Sequence, residues 1–235
     1  MRLNFKNRPF PNGITLFSKN RLSLSDNSFN VLIGCNGCGK SILLNTLYER
    51  YRRRKGYLEI KEENVSLRLR DTIYLFKYSN DYKASIEENK DISSGEKIID
   101  RFGDSMALLS NFVNCHKYCK LIILIDDADF SLSVDYIKNI KDALNSVIND
   151  CVKNQITYYI LFASNSYEIC KENVCISTHN FKKCKVKNYE AFKQKVLESR
   201  DYINNQINMS EGDKIEKNNH SWCKLCSFWF PNKYC

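Results

Sequence analysis

Apolar residues along this chain keep two rhythms. Leu121-Ile122-Ile123-Leu124-Ile125 is an unbroken apolar run, the pattern of a strand covered on both faces inside a parallel sheet. Phe29-Asn30-Val31-Leu32-Ile33, Thr72 to Tyr78 and Thr157 to Ala163 predict further strands. Val174 to Ser177 and Cys184 to Lys187 read as terminal strands, and Tyr57 to Ile60 and Val65 to Arg70 as edge strands. The second rhythm is helical. Ile98, Ile99, Phe102, Met106, Leu109, Phe112 and Val113 lie on one stripe of a helix over 97–114. Further helices are predicted from about Lys40 to Lys55, Ser133 to Val152 and Tyr189 to Tyr202. Strand and helix alternate through the middle of the chain, which makes the fold class α/β with a central, mostly parallel sheet. Before it, Leu3-Asn4-Phe5, Ile14 to Phe17 and Arg21 to Leu24 are short β-rich pieces separated by turn residues. They predict an N-terminal antiparallel β ribbon. The polar stretch 79–91 reads as a loop and 203–219 as a linker.

One octapeptide supplies chemistry. Gly34-Cys35-Asn36-Gly37-Cys38-Gly39-Lys40-Ser41 satisfies the P-loop pattern of Gly, four residues, Gly-Lys-Ser. It lies between a predicted strand and a predicted helix, the context that the motif requires. Its glycines let backbone N–H groups close around phosphates, and the helix presents its positive end to the same anion. The cradle is therefore Gly34 to Ser41 with Ile42 following. Lys40 is expected on the β- and γ-phosphates and the Ser41 hydroxyl on Mg²⁺. Asp126 closes the apolar strand beside this loop, where a second metal ligand belongs. Asp127 follows it, placed to polarise the attacking water. Asp91-Ile92-Ser93-Ser94-Gly95-Glu96-Lys97 opens a helix, and taken alone it reads either as an N-cap or as an anion site.

Composition narrows the class. The net charge of +9 is uneven, with both ends of the chain basic and the middle acidic. The densest basic run, Arg50, Arg52, Arg53, Arg54 and Lys55, ends the P-loop helix. It reads as a dipole-matched helix end or as a phosphate-contacting patch for nucleic acid. No run of eighteen apolar residues occurs and the N-terminus has no secretory pattern, so no membrane insertion and a cytoplasmic location are expected. Reduced thiols follow for the eleven cysteines. His220, Cys223, Cys226 and Cys235 form a zinc-type ligand set, while Trp222, Phe228, Trp229 and Phe230 make the same tail an apolar docking strip. Cys115-His116-x-x-Cys119 reads as ordinary packing. Cys38, two residues before Lys40, is expected to be a reactive thiol that bound Mg-ATP protects.

Taken together these motifs resemble the ABC-type P-loop ATPases, in a compact form similar to SMC-like heads and small bacterial and phage ATPases. The P-loop with its Asn36, the stretch Ile92-Ser93-Ser94-Gly95-Glu96 and the run Asp127-Ala128-Asp129-Phe130-Ser131-Leu132-Ser133 carry the resemblance, in the family's order. It covers 1–202 as an ATPase head and leaves 203–235 as linker and Cys/aromatic-rich tail. It implies an ATP-dependent head-to-tail homodimer in which Ser93 and Gly95 of one chain meet the γ-phosphate held by the other. It also implies a protein partner that this dimer regulates, in nucleic-acid maintenance or phage–host conflict, and a switch-histidine position held by Asn165. Four departures stand out. Asp127 replaces a longer glutamate, no glutamine occurs between Ser41 and Asn154, and Asn165 replaces a histidine. The short spacing from Lys40 to Ser93 implies a reduced helical subdomain. Slow hydrolysis is the expectation, with a nucleotide-sensing adaptor of negligible turnover as the alternative. A transporter's ATPase subunit fits less well, because it requires the glutamine and a longer subdomain.

Overall fold

The structure is a computed structural model that describes residues 1–7, 15–52, 57–59, 73–79, 94–129 and 132–210. Its centre is a seven-stranded sheet in the order β4-β5-β6-β7-β3-β8-β9. The strands are β3 (Ser28–Ile33), β4 (Tyr57–Glu59), β5 (Ile73–Ser79), β6 (Lys120–Asp126), β7 (Thr157–Ala163), β8 (Val174–Ser177) and β9 (Lys183–Cys184). Every pairing is parallel except β8 with β9. A separate antiparallel pair, β1 (Arg2–Asn4) with β2 (Arg21–Ser23), forms the expected ribbon. The third piece expected there is partly outside the described residues, and Thr15 to Phe17 form no strand.

Alternation along the buried strands separates two cores. Leu121, Ile123 and Ile125 of β6 join one cluster and Ile122 and Leu124 the other. Tyr158, Ile160 and Phe162 of β7 face the first side, and Tyr159, Leu161 and Ala163 the second. Successive strand residues point to opposite faces, so an apolar run needs cover on both. α2 (Ser94–Cys115) and α3 (Val134–Lys153) cover the first face, and α1 (Lys40–Arg52) with the ribbon covers the second. A fully buried Leu or Ile contributes about 1.5–3 kcal/mol, so this double layer is the main source of stability. A short helix α4 (Tyr167–Cys170) follows β7.

The last helix departs from its expected end. α5 runs Tyr189–Ser210, through residues that read as linker. Ile203 and Ile207, one helical turn apart, are buried in the second core, while Phe192 lies in the first and Val196 touches both. The helix thus passes from one face of the sheet to the other, and two isoleucines among asparagines suffice to hold its second half. β9 is also shorter than expected, ending at Cys184. Val65 to Arg70, most of the polar stretch 79–91 and residues 203–235 beyond Ser210 carried expectations that lie outside the described residues.

Candidate functional site

The P-loop joins the C-terminal end of β3 to the start of α1, and the chain folds tightly there for local reasons. Gly37 and Gly39 take φ of 79° and 92°, which side-chain-bearing residues adopt only at a cost. A Cβ on Gly39 would meet Leu16 Cδ1 at 2.6 Å, and one on Gly34 would meet Cys38 Sγ at 2.6 Å and Thr178 Oγ1 at 2.8 Å. The loop is therefore packed from both sides. Cys35 N–H donates to Ser199 Oγ of α5 at 2.7 Å, and Thr178 Oγ1 donates to Ile33 O at 2.6 Å. Ser199 and Thr178 are buried buttresses that no motif marks in the sequence.

Lys40, although 8% exposed, is fully partnered. Its ammonium donates to Gly34 O at 2.9 Å, Cys35 O at 3.1 Å and Asn165 Oδ1 at 2.8 Å. An ammonium has three protons to give, so these acceptors saturate it. Ser41 Oγ donates to Asp126 Oδ1 at 3.1 Å, linking residues 85 apart in the chain. Burial and the neighbouring Asp127 push the Asp126 carboxyl up to about 6, with Ser41, Lys77 and Lys40 pulling the other way. A buried carboxylate beside a hydroxyl, crowded by a second acid, is a pair of hard oxygen donors that favours a cation. The residues fit Mg²⁺, which when bound would neutralise charge on the β- and γ-phosphates. Lys77 of β5, which reaches Asn45 on α1 and lies over the Tyr48 ring, adds a second cation to this surround.

Asp127 stands immediately after β6 with φ of 55°, a left-handed turn that Asp tolerates better than most residues. Two residues on, Asp129 is 8% exposed. Its Oδ2 accepts from the Ser164 hydroxyl and from the N–H groups of Asn165 and Ser166, the latter two at 3.2 Å. Burial pushes its carboxyl above the ordinary range, opposed by the Ser164 hydrogen bond. Asp129 thereby fixes the loop that presents Asn165 to Lys40. Sequence reasoning passed over this role; the only signal was an acid in a fixed register behind Asp126-Asp127.

The structure thus brings Gly34, Lys40, Ser41, Asp126 and Asn165 into one site and orders Asp127 beside it. Asn36 and Gly37 are exposed at the loop tip, and Ile42 is half-buried on α1. Ser93 lies outside the described residues, and Gly95 sits in the first turn of α2 with Tyr136 and Leu132 as its nearest side chains.

Two expectations need correction or bounding. Cys35 and Cys38 are each 2% exposed, packed on each other and on Thr178 beneath the loop. Cys38 is lowered by the hydrogen bond from Cys35 first, then by Lys40 and Thr178, against the cost of burial. The thiol is thus acidic as expected but shielded, and Cys35 offers the phosphates neither its side chain nor its N–H. The zinc set His220, Cys223, Cys226 and Cys235 lies outside the described residues. Among the described residues no group of three or more His, Cys, Asp or Glu side chains is arranged to hold a metal. Cys115-His116-x-x-Cys119 is packing, with His116 stacked on Phe112 at 4.0 Å between ring centroids. Among the described residues no helix is long and apolar enough to cross a membrane.

Comparison with known proteins completes this picture. The sequence pattern of the ABC transporter family matches residues 17–159. No curated protein sequence matches the chain. Among solved structures, the chain is similar to the dimeric structure of a post-hydrolysis state of the ATP-binding cassette MJ0796 bound to ADP and Pi. That likeness has 12% identity and a TM-score of 0.41, and it covers 80% of this chain and 100% of that one.

Proposed function

The chain belongs to the ABC transporter family, and from that premise we propose that it is a Mg²⁺-dependent, slowly turning ATPase whose ATP-bound form pairs head to tail with a second copy and regulates a protein partner. The observation that carries the reading is the Ser41–Asp126 contact at 3.1 Å, set beside a Lys40 that is already inside the loop. These are the hydroxyl, carboxylate and ammonium that nucleoside triphosphate chemistry requires. In this reading Lys40 exchanges Asn165 for phosphate oxygen when ATP enters, because Asn165 is the one of its three acceptors on an exposed residue. Asp127 orients the water that attacks the γ-phosphorus, with ADP leaving and inorganic phosphate formed. Its side chain is one methylene shorter than glutamate, and small misplacements of this kind slow chemistry steeply. Ser93 and Gly95 complete the γ-phosphate site of the opposite copy.

A single-turnover assay with purified protein and Mg-ATP tests the enzymatic part. Asp127→Asn removes hydrolysis and Asp127→Glu raises it about tenfold, a fraction of the roughly 10²–10⁴-fold that a well-placed general base supplies; unchanged hydrolysis in Asp127→Asn overturns the assignment. Light scattering with a non-hydrolysable ATP analogue tests the pairing, and Ser93→Arg should bind ATP as a monomer. The adaptor reading is favoured by one observation, the saturation of Lys40 by protein acceptors. It predicts ATP binding with no phosphate release even after Asp127→Glu.

A further inference from the structure

The far end of α1 holds a second polar site. Asn4, Lys6, Asn7, Lys19, Asn20 and Arg50 line an open pocket of about 790 Å³ between the β1–β2 ribbon and the last turn of α1. Its frame is tied together. Asn4 N–H donates to the Tyr51 hydroxyl at 2.7 Å, Phe5 N–H donates to Asn20 O at 3.0 Å, and the Asn7 amide donates to Phe17 O. Tyr51 itself is buried, which anchors the ribbon to α1.

The charge in this frame is one-sided. Lys6, Lys19 and Arg50 make no ion pair among the described residues. Among the described residues Arg50 Nε is buried without a hydrogen-bond partner, an arrangement that disfavours the unliganded state. Two positions on, Arg52 is neutralised by Glu49 at 3.0 Å, so unpaired charge is not a general property of this helix end. Register extends the patch. Asn4 pairs with Arg21 and Arg2 with Ser23, and cross-strand partners share a face, so Arg2 and Arg21 lie on the same exposed face as Asn4. No acid occurs in residues 1–7 or 15–24.

We propose that this face of the ribbon and the α1 terminus bind the phosphodiester backbone of a nucleic acid strand, at a site separate from the P-loop. A single phosphate would not need cations on both strands of the ribbon and on a helix. Positions two apart on one strand are separated by about 7 Å, the scale of a repeating anion. The asparagine amides supply donors and acceptors to sugars and base edges, which anionic lipid headgroups packed in a surface would not reach inside a concave pocket. The inference goes beyond the ATPase reading and does not rest on it.

The test is fluorescence anisotropy with a labelled 20-nucleotide single-stranded DNA, without nucleotide, across 50–200 mM KCl, using the 235-residue chain and the variant Lys6→Gln/Lys19→Gln/Arg50→Gln. Each phosphate contact on a single strand contributes about 0.7 to the slope of log affinity against log salt. The triple variant should bind at least tenfold more weakly with a slope shallower by about 2, while Arg52→Gln binds as the parent does. Equal affinity and slope in the parent and the triple variant overturn the site. Preferential binding to vesicles containing phosphatidylserine, or competition by millimolar inorganic phosphate as effective as by unlabelled DNA, also overturns it. A thermal melt of the triple variant matching the parent confirms that the loss is not unfolding. Failure here leaves the ATPase reading intact, since no ATP enters the measurement.

Discussion

The two ends of helix α1 hold their cations in opposite ways. At its start, Lys40 has three acceptors within 3.1 Å, and the P-loop is buttressed from β8 and α5 sides by Thr178 and Ser199. At its end, Arg50 carries a buried Nε with no partner, and Lys6 and Lys19 are exposed and unpaired among the described residues. The first arrangement stores its cation against protein acceptors and must release one to take a ligand. The second leaves its cations waiting. A site of the first kind is preorganised and selective, since entry requires exchange of a specific bond. A site of the second kind gains affinity from charge and loses it in salt.

The largest test of that division is Lys40→Met. Loss of charge-assisted hydrogen bonds to phosphate, each about 1.5–3 kcal/mol, should weaken ATP binding about a hundredfold in calorimetry. The same variant should bind single-stranded DNA unchanged. A parallel loss of both would show one continuous site along α1 and break the comparison.

Next in size are two acids behind the loop, with opposite expected signs. Asp129→Ala strips the acceptor from the Ser164 hydroxyl and two backbone N–H groups, and should destabilise the protein by about 3 kcal/mol in urea unfolding. Asp126→Asn should stabilise the metal-free protein by on the order of 2 kcal/mol, while abolishing Mg-ATP binding. The sign follows from Asp126 being raised to about 6 in the fold. A carboxyl raised above its unfolded value costs stability once ionised, so the gain from Asn grows as pH rises towards 6 and is full above it. At about pH 4 the variant and parent should melt together.

Asp126 and Asp129 also mark how far the sequence could be read. Asp126 was legible because a five-residue apolar run ended on it beside a P-loop, and β6 does end there. Asp129 was not, because its role depends on β7 pairing beside β6, which sets the loop after β7 against the loop after β6, a contact between residues 35 apart. The same holds for Ser199 on Cys35 N–H, 164 residues away. Local period predicts strands and helices; it does not say which polar side chain will satisfy a distant backbone group. The end of α5 was misread for the converse reason. Asparagine-rich 203–210 has the composition of a linker, yet Ile203 and Ile207 at helical spacing find a buried face. Tertiary burial outweighs weak intrinsic propensity there.

A smaller effect isolates the exchange step at Lys40. Asn165→Ala removes the one acceptor that ATP must displace. A charge-assisted hydrogen bond at the low end, about 1.5 kcal/mol, corresponds to roughly tenfold tighter ATP binding in the variant, with turnover reduced because the switch-loop amide is gone. Weaker binding would mean that Asn165 contributes to holding the nucleotide, and the latch would be wrong.

The smallest expected change concerns the thiols under the loop. Cys38 carries a lowered proton affinity, which by itself favours reaction, since the thiolate is the nucleophile. Access opposes it, because Cys35 and Cys38 are 2% exposed and Gly34 leaves no room beside the Cys38 sulfur. Burial should win: a maleimide cannot approach a sulfur enclosed by Cys35, Thr178 and the loop backbone without opening the P-loop itself. Peptide mapping after brief labelling of native protein should therefore find adducts at Cys115, which is exposed, and none at Cys35 or Cys38, with or without Mg-ATP. Labelling at Cys38 that bound ATP suppresses would show that the loop opens in solution on the labelling timescale, and the closed, prepaired end of α1 would then be only one of its states.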